Sequence, residues 1–233
     1  MRIILFVALA IGFLSCKRIK GNGDIITETR KEGNFTKISS AGSFDVEVSQ
    51  DSVCSIQVEA ESNLIDLVIT TVEDGKLKIK FKDRYSYSTK KGILIKLKVR
   101  NLEQISMAGA GKISSTNQLK IDDKLKLSIA GSGNIDLDIN APIVDADIAG
   151  SGDIILTGQT RDAYLDIAGS GSYKCEGLLS EKTKVHIAGS GSAKVYAENK
   201  LDVHVAGSGD VFYKGSAVVT KKIAGSGDVK KLD

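Results

Sequence analysis

The chain has 233 residues, 26% of them charged, with 32 Lys or Arg against 29 Asp or Glu and a formal net charge of +3. That near-neutral balance offers no electrostatic case for nucleic acid, whose binders carry a concentrated basic face. No segment has helical periodicity of useful length, which leaves an all-β chain.

In chain order the first feature is Met1-Arg2, an apolar run from Ile3 to Leu14, and then Ser15-Cys16-Lys17-Arg18. Twelve apolar residues are too few to span a bilayer, and a positive start with a short apolar core predicts a signal peptide over residues 1–15. A cysteine behind a small residue at the end of that core resembles a bacterial lipoprotein signal, with Cys16 as the lipid attachment site. Phe13 and Leu14 depart from the Leu and small residue usual there, so an ordinary signal is the alternative. A lipid would anchor the mature chain to a membrane without crossing it. Residues 16–33, with Gly21, Gly23, Gly33 and many charges, read as lipid anchor and tether, and residues 34–233 as a single domain. The basic Lys17-Arg18-Ile19-Lys20 would lie beside anionic headgroups. The expected location is the cell envelope, anchored to the outer membrane. The lack of acidic residues just after Cys16 favours its periplasmic side.

The domain opens with worn strands. Ile38, Ser40, Gly42, Phe44, Val46 and Val48 alternate around Ala41-Gly42-Ser43, and Ser55 to Glu61, Leu77 to Lys82 and Ile93 to Val99 are further strands. Ile65 to Val72 fits a short helix or a strand. Lys82 to Gly92 is the longest polar, non-periodic stretch and is expected to be an exposed loop, a solvated hairpin tip. Its Arg84, Tyr85, Tyr87 and Lys90 are suited to sugars or an anionic partner.

The C-terminal half repeats Ile/Val-Ala-Gly-Ser-Gly six times, from Ile129, Ile148, Ile167, Ile187, Val205 and Ile223, with a looser copy at Met107. Successive copies are 18 to 22 residues apart, a repeat that decides architecture. Leu125, Leu127, Ile129, Gly131, Gly133, Ile135, Leu137 and Ile139 alternate with Lys126, Ser128, Ala130, Ser132, Asn134, Asp136 and Asp138. This is a half-buried strand pattern running through the glycines. Both glycines therefore fall on the inward side of a corner. Looser polar turns are expected at Asn140-Ala141-Pro142, Gly158 to Arg161, Gly177 to Glu181, Glu198-Asn199-Lys200 and Gly215-Ser216. A unit of about 19 residues cannot bury its apolar face alone, so coils stack ~4.8 Å apart into a parallel β-solenoid. About four inward aliphatics per coil, at roughly 1.5–3 kcal/mol each, drive it.

The lipoprotein-like leader, Phe-Thr-Lys-Ile at Phe35, Ala-Gly-Ser-Phe-Asp-Val-Glu-Val at Ala41, Lys-Leu-Lys-Ile at Lys76 and the serial Ala-Gly-Ser-Gly corners resemble the head GIN domain family of auto-transporter adhesins. The resemblance covers residues 34–233. It implies an all-β, right-handed β-helix-like fold and a cell-envelope setting, and brings no catalytic motif.

The search for chemistry yields little. Gly-Ser-Gly-Asp occurs before Asp153, Asp210 and Asp228, but the Asp position is elsewhere Lys112, Asn134, Ser172 or Ser192, which breaks any calcium ladder. Aligned coils place Ser128, Asp147, Asp166, His186, His204 and Lys222 in one outward column. His186, His204 and Asp166 are the residues that could bind a metal. A solvated ladder is the preferred reading, so no metal and no cofactor is expected. A second column pairs Lys126 with Asp145 and Lys184 with Asp202. With serines confined to corners and acids scattered, no catalytic residue is expected. Of the cysteines, Cys54 and Cys175 stay unassigned as a pair, Cys175 falling in inward phase as a buried small hydrophobe. The column of alanines beside the corner serines is flat enough to pack against an identical column in a homo-oligomer, although tight corners alone would demand small residues. The expected function is a non-enzymatic binding or adhesion module, with a protein or glycan partner. The alternatives are a periplasmic carrier or sensor of a lipid, glycan or metal, and after it a carbohydrate-active enzyme.

Overall fold

The structure, a computed structural model, describes residues 17–232. The signal peptide and Cys16 lie outside the described residues. The first half holds β1 (Lys17–Lys20), β2 (Ile25–Arg30), β3 (Lys37–Gly42), β4 (Asp45–Gln50), β5 (Ser55–Glu61), β6 (Val68–Glu73), β7 (Lys76–Phe81), β8 (Tyr85–Ser88) and β9 (Leu94–Val99). The second half holds β10 (Gln104–Gly109), β11 (Lys112–Ser115), β12 (Leu119–Lys120), β13 (Lys124–Gly131), β14 (Asn134–Gly150), β15 (Asp153–Gly169), β16 (Ser172–Gly189), β17 (Ser192–Tyr196), β18 (Lys200–Gly207), β19 (Asp210–Lys214), β20 (Val218–Gly225) and β21 (Val229–Lys231). The result is the expected all-β solenoid, about six turns with parallel bridges about 20 residues apart.

The corners of successive repeats stack in strict register, although β15 and β16 slip by one residue between Ile155 and Thr157. Ile148, Ala149 and Gly150 pair with Ile167, Ala168 and Gly169, and these with Ile187, Ala188 and Gly189. The inward positions, such as Leu127, Ile129, Ile135, Leu137, Ile148 and Ile154, are buried in one continuous core. The ladder also crosses the corners, with the N–H of Ser170 on the carbonyl of Gly150 at 2.9 Å and that of Ser172 on Gly152 at 3.0 Å.

The two glycines of a corner serve different purposes, which corrects the expectation that both face inward. Gly150 has φ +131°, and a Cβ there would lie 2.3 Å from the carbonyl oxygen of Gly131 in the preceding coil. Its missing side chain points along the stack. Gly152 is the buried one. A Cβ on it would strike the Gly133 carbonyl at 2.5 Å and the Ile129 side chain at 2.8 Å.

Three of the expected looser turns are instead bends inside continuous strands. β14, β15 and β16 run unbroken through Asn140-Ala141-Pro142, Gly158 to Arg161 and Gly177 to Glu181. Stacking makes this possible, because Ala141, Thr160 and Ser180 occupy equivalent places on adjacent coils and continue the ladder. Buried hydroxyls supply the remaining bonds: Ser180 Oγ donates to the Tyr196 carbonyl at 2.6 Å, and Thr160 Oγ1 to the Pro142 carbonyl at 3.3 Å. Only Glu198-Asn199 and Gly215-Ser216 interrupt the strands as expected.

At the N-terminal end, chain order and stack order part company. β3 and β4 pair in parallel with β10 and β11 above them, so Ala41-Gly42 stacks on Ala108-Gly109 as the worn repeat predicts. Beneath β3 and β4 lie β7 and β9, also parallel. The end is then closed by antiparallel pairings, β6 with β7, β5 with β9 and β2 with β5, a departure from a purely parallel stack. A two-residue turn at Asp74-Gly75, both at positive φ (50° and 70°), makes the β6–β7 hairpin. Ile65–Leu67 is one 3-10 turn before β6, so the ambiguous segment is both.

Two further expectations are corrected here. Residues 17–33, read as tether, contain β1 and β2, and 82–92, read as an exposed loop, contains β8. β1 and β8 pair with each other in parallel, Lys17 opposite Tyr85 and Lys20 opposite Ser88. Tyr87 explains the order, because its ring packs on Phe81 with centroids 4.5 Å apart and its hydroxyl donates to the Ser43 carbonyl at 3.1 Å.

Among the described residues no strand pairs with the outer edges of β20 and β21. Lys221 takes the register position of inward-facing Val203, and it is exposed. With Lys222, Lys230 and Lys231 it puts charge on that edge, the kind of side chain that discourages strand addition.

Candidate functional site

The outward positions before each corner form two neighbouring columns, set by the period-two alternation. One is Ser39, Ser106, Ser128, Asp147, Asp166, His186, His204 and Lys222, in register coil by coil. The other is the alanine column. The structure shows the alanines as the floor of a groove, where the sequence suggested a flat ridge. Ala108, Ala130, Ala149, Ala168 and Ala188 line a cavity of about 450 Å³ together with the Ser106-to-His186 column. Four coil steps of ~4.8 Å make it about 19 Å long. A second hollow of about 280 Å³ carries the groove on past His186 to Ala206, His204, Ala224 and Lys222. The cause is side-chain length: a methyl lies beside a longer Asp or His.

The polar edge changes character along its length. Ser128 Oγ donates to Ser106 Oγ at 3.1 Å. Asp147 then stacks on Asp166. Partial burial, and next the charge of Asp145, push the Asp147 carboxyl above the ordinary carboxylate value, while Lys126 4.0 Å away opposes them. His186 Nδ1 lies 3.1 Å from Asp166 Oδ1, and the His204 ring meets the His186 ring edge-on at 6.4 Å. The ladder is thus assembled as the alignment predicts. Among the described residues no three His, Cys, Asp or Glu side chains converge as a metal cage.

The charge ladder is corrected in detail. Lys126 and Asp145 are register partners, as are Lys184 and Asp202, but the ion pairs run elsewhere. Lys124 pairs with Asp145 at 2.5 Å and Lys200 with Asp202 at 2.9 Å. Lys124 reaches across to the next coil and Lys200 two residues along its own strand, because the long side chains have that freedom, and at such exposed sites each pair contributes little.

Cys54 and Cys175 are both free. Burial pushes the Cys175 thiol up to about 12, which leaves it inert as a nucleophile. Among the described residues, the one side-chain hydrogen bond of a histidine is to Asp166, so no serine or thiol is paired with an imidazole base. The groove is hidden in the sequence, because tight corners already account for a run of small residues. Its one signal is the constant offset of the alanines from the Asp and His column.

The family model described as "Putative auto-transporter adhesin, head GIN domain" matches residues 34–217. The chain belongs to this family. Solved structures share the head GIN fold. A putative adhesin from Bacteroides fragilis is 24% identical, with TM-score 0.85 over 92% of this chain and all of the other. A putative lipid binding protein from Parabacteroides distasonis is 31% identical, with TM-score 0.79 over 93% of this chain and all of the other. A putative adhesin from Parabacteroides merdae is 24% identical, with TM-score 0.75 over 93% of this chain and all of the other. No curated protein matches. The family and the two neighbours that are 24% identical are adhesins by name, and no helix of the described residues is long and apolar enough to cross a membrane.

Proposed function

We propose that this head GIN domain is a non-enzymatic binding module of the cell envelope, held to the membrane through a lipid on Cys16, and that its contact surface is the alanine groove. The carrying observation is the apolar floor from Ala108 to Ala188 beside a polar edge graded from serine through aspartate to histidine. Such a surface fits an elongated partner with an apolar face and a polar margin, because flat methyls lose no rotamer entropy on contact. Adhesion to a protein or glycan of that shape is the first reading. Transport or sensing of a lipid in the periplasm is the second, supported by the apolar floor and by the name of the relative that is 31% identical.

The test is binding of the purified domain to arrayed glycans and to fatty acids and phospholipids, compared with an Ala149→Lys, Ala168→Lys variant. Both alanines are exposed, and the circular dichroism of the variant checks that the β-fold is kept. A ligand bound by the parent and lost in the variant supports the groove. A ligand bound equally by both refutes it.

A further inference from the structure

The β1–β8 ribbon joins two segments that are far apart in sequence and both basic. Residues 17–24 and 82–92 together carry Lys17, Arg18, Lys20, Lys82, Arg84, Lys90 and Lys91 against Asp24 and Asp83. That is five net positive charges, more than the +3 of the whole chain, so the rest of the molecule is net acidic. Among the described residues none of the seven cations is in an ion pair, while Asp83 is taken by Lys80. All seven are exposed.

The ribbon is also held firmly. Lys17 N–H donates to the Arg84 carbonyl at 2.9 Å and Gly21 N–H to the Ser88 carbonyl at 2.8 Å. The buried Glu61 carboxylate accepts from Gly23 N–H at 2.6 Å, Thr89 Oγ1 at 2.6 Å and Lys90 N–H at 3.2 Å. A basic plate is therefore fixed to the closed end of the solenoid. Between its first residue, Lys17, and the apolar run Ile3 to Leu14 stand only Ser15 and Cys16.

We propose that the β1–β8 ribbon is a docking plate for an anionic phospholipid surface, and that it sets the solenoid end-on to the membrane. Charge complementarity names the partner, since unpaired Lys and Arg clustered beside a membrane-directed segment attract anionic headgroups. The plate acts through the charges of the ribbon and does not require lipidation of Cys16. The alanine groove, on the stacked coils beyond, is then carried away from the surface.

The test uses the chain from Lys17 onward, which contains every strand of the described residues and lacks Cys16, in flotation with phosphatidylcholine vesicles with and without phosphatidylglycerol. Binding is expected only with phosphatidylglycerol and is expected to fall as salt is raised. The Lys82→Glu, Lys90→Glu, Lys91→Glu variant should lose at least ~100-fold, at ~5-fold per charge. A Lys221→Glu, Lys222→Glu variant at the opposite end should bind as the parent does. Equal binding to both vesicles, an unchanged ribbon variant, an equal loss in the opposite-end variant, or capture by a soluble polyanion with the vesicles ignored would each overturn the proposal. Glutamine at the same three lysines repeats the measurement should the glutamate variant lose its β-sheet circular dichroism. Incorporation of labelled fatty acid at Cys16 in the full chain is a separate readout, so failure of the anchor and failure of the plate are told apart.

Discussion

The Glu61 carboxylate accepts the backbone N–H of Gly23 at 2.6 Å across 38 residues of chain. Gly21 lies against the same carboxylate so closely that a Cβ there would sit 2.0 Å from Oε2. This is the contact that turns an expected tether into part of the fold. The Thr89 hydroxyl, and after it the N–H groups of Lys90 and Gly23, hold the Glu61 carboxyl below the usual range against the opposing effect of burial. A lowered carboxyl pKa means that the latch is intact above the ordinary glutamate range and is lost as pH falls through the lowered value. Hydrogen exchange should show β1 and β8 amides protected at neutral pH and released in acid, and released at all pH values in Glu61→Ala, with the β13–β18 coils unaffected.

Gly150→Ala should destabilise the domain by about 2–4 kcal/mol, from the positive φ and the collision with the Gly131 carbonyl. Ala149→Ser, one residue earlier on an exposed position, should change stability by no more than ~0.5 kcal/mol. Urea unfolding of the two variants measures the contrast, and equal midpoints would refute the assignment of the first corner glycine.

Tyr173 is the largest fully buried side chain. It stands between Ile154 and Ala193 in the inward column, its bulk set against the small alanine. Its hydroxyl donates to the Asp166 carbonyl at 2.9 Å and also reaches the Ala146 carbonyl. Burial pushes its phenol pKa up. Tyr173→Phe keeps the volume and removes the donor, so a loss of about 1–3 kcal/mol is expected in thermal or urea unfolding. In the parent, no phenolate absorbance from this ring should appear before the alkaline unfolding transition.

Asp147 behaves in the opposite sense to Glu61. Its carboxyl is raised, so the folded state favours the protonated form. The associated stability is fully present below the ordinary carboxylate range and is lost as pH rises through the raised value. Asp147→Asn should therefore unfold at a higher temperature than the parent at neutral pH, with the difference vanishing in acid. A neutral-pH melting temperature at or below that of the parent would contradict this.

The lysines at the open end are expected to keep the protein from adding coils. Replacing Lys221 by Ile and Lys222 by Thr restores the inward and outward pattern of the earlier coils on an unpaired edge. Light scattering should show concentration-dependent association of this variant and none of the parent.

The coils of the second half are legible in the sequence because everything that makes them is local. Period-two alternation from Leu125 to Ile139 sets which side chains enter the core. The repeat length sets which residues stack, so the columns from Ser128 to Lys222 follow from residue spacing alone. Only tertiary structure decided the rest. Nothing local says that β7 and β9 slide beneath β3 and β4, that Lys124 and not Lys126 reaches Asp145, or that the polar turns of β14 to β16 are carried as bent strands. Those outcomes depend on which edge, carbonyl or carboxylate a distant segment leaves unpaired. The β1–β8 ribbon is the plainest case. Two polar stretches with no periodicity become a paired, basic plate because Tyr87 finds Phe81 and Glu61 finds Gly23, contacts that only the folded chain brings together.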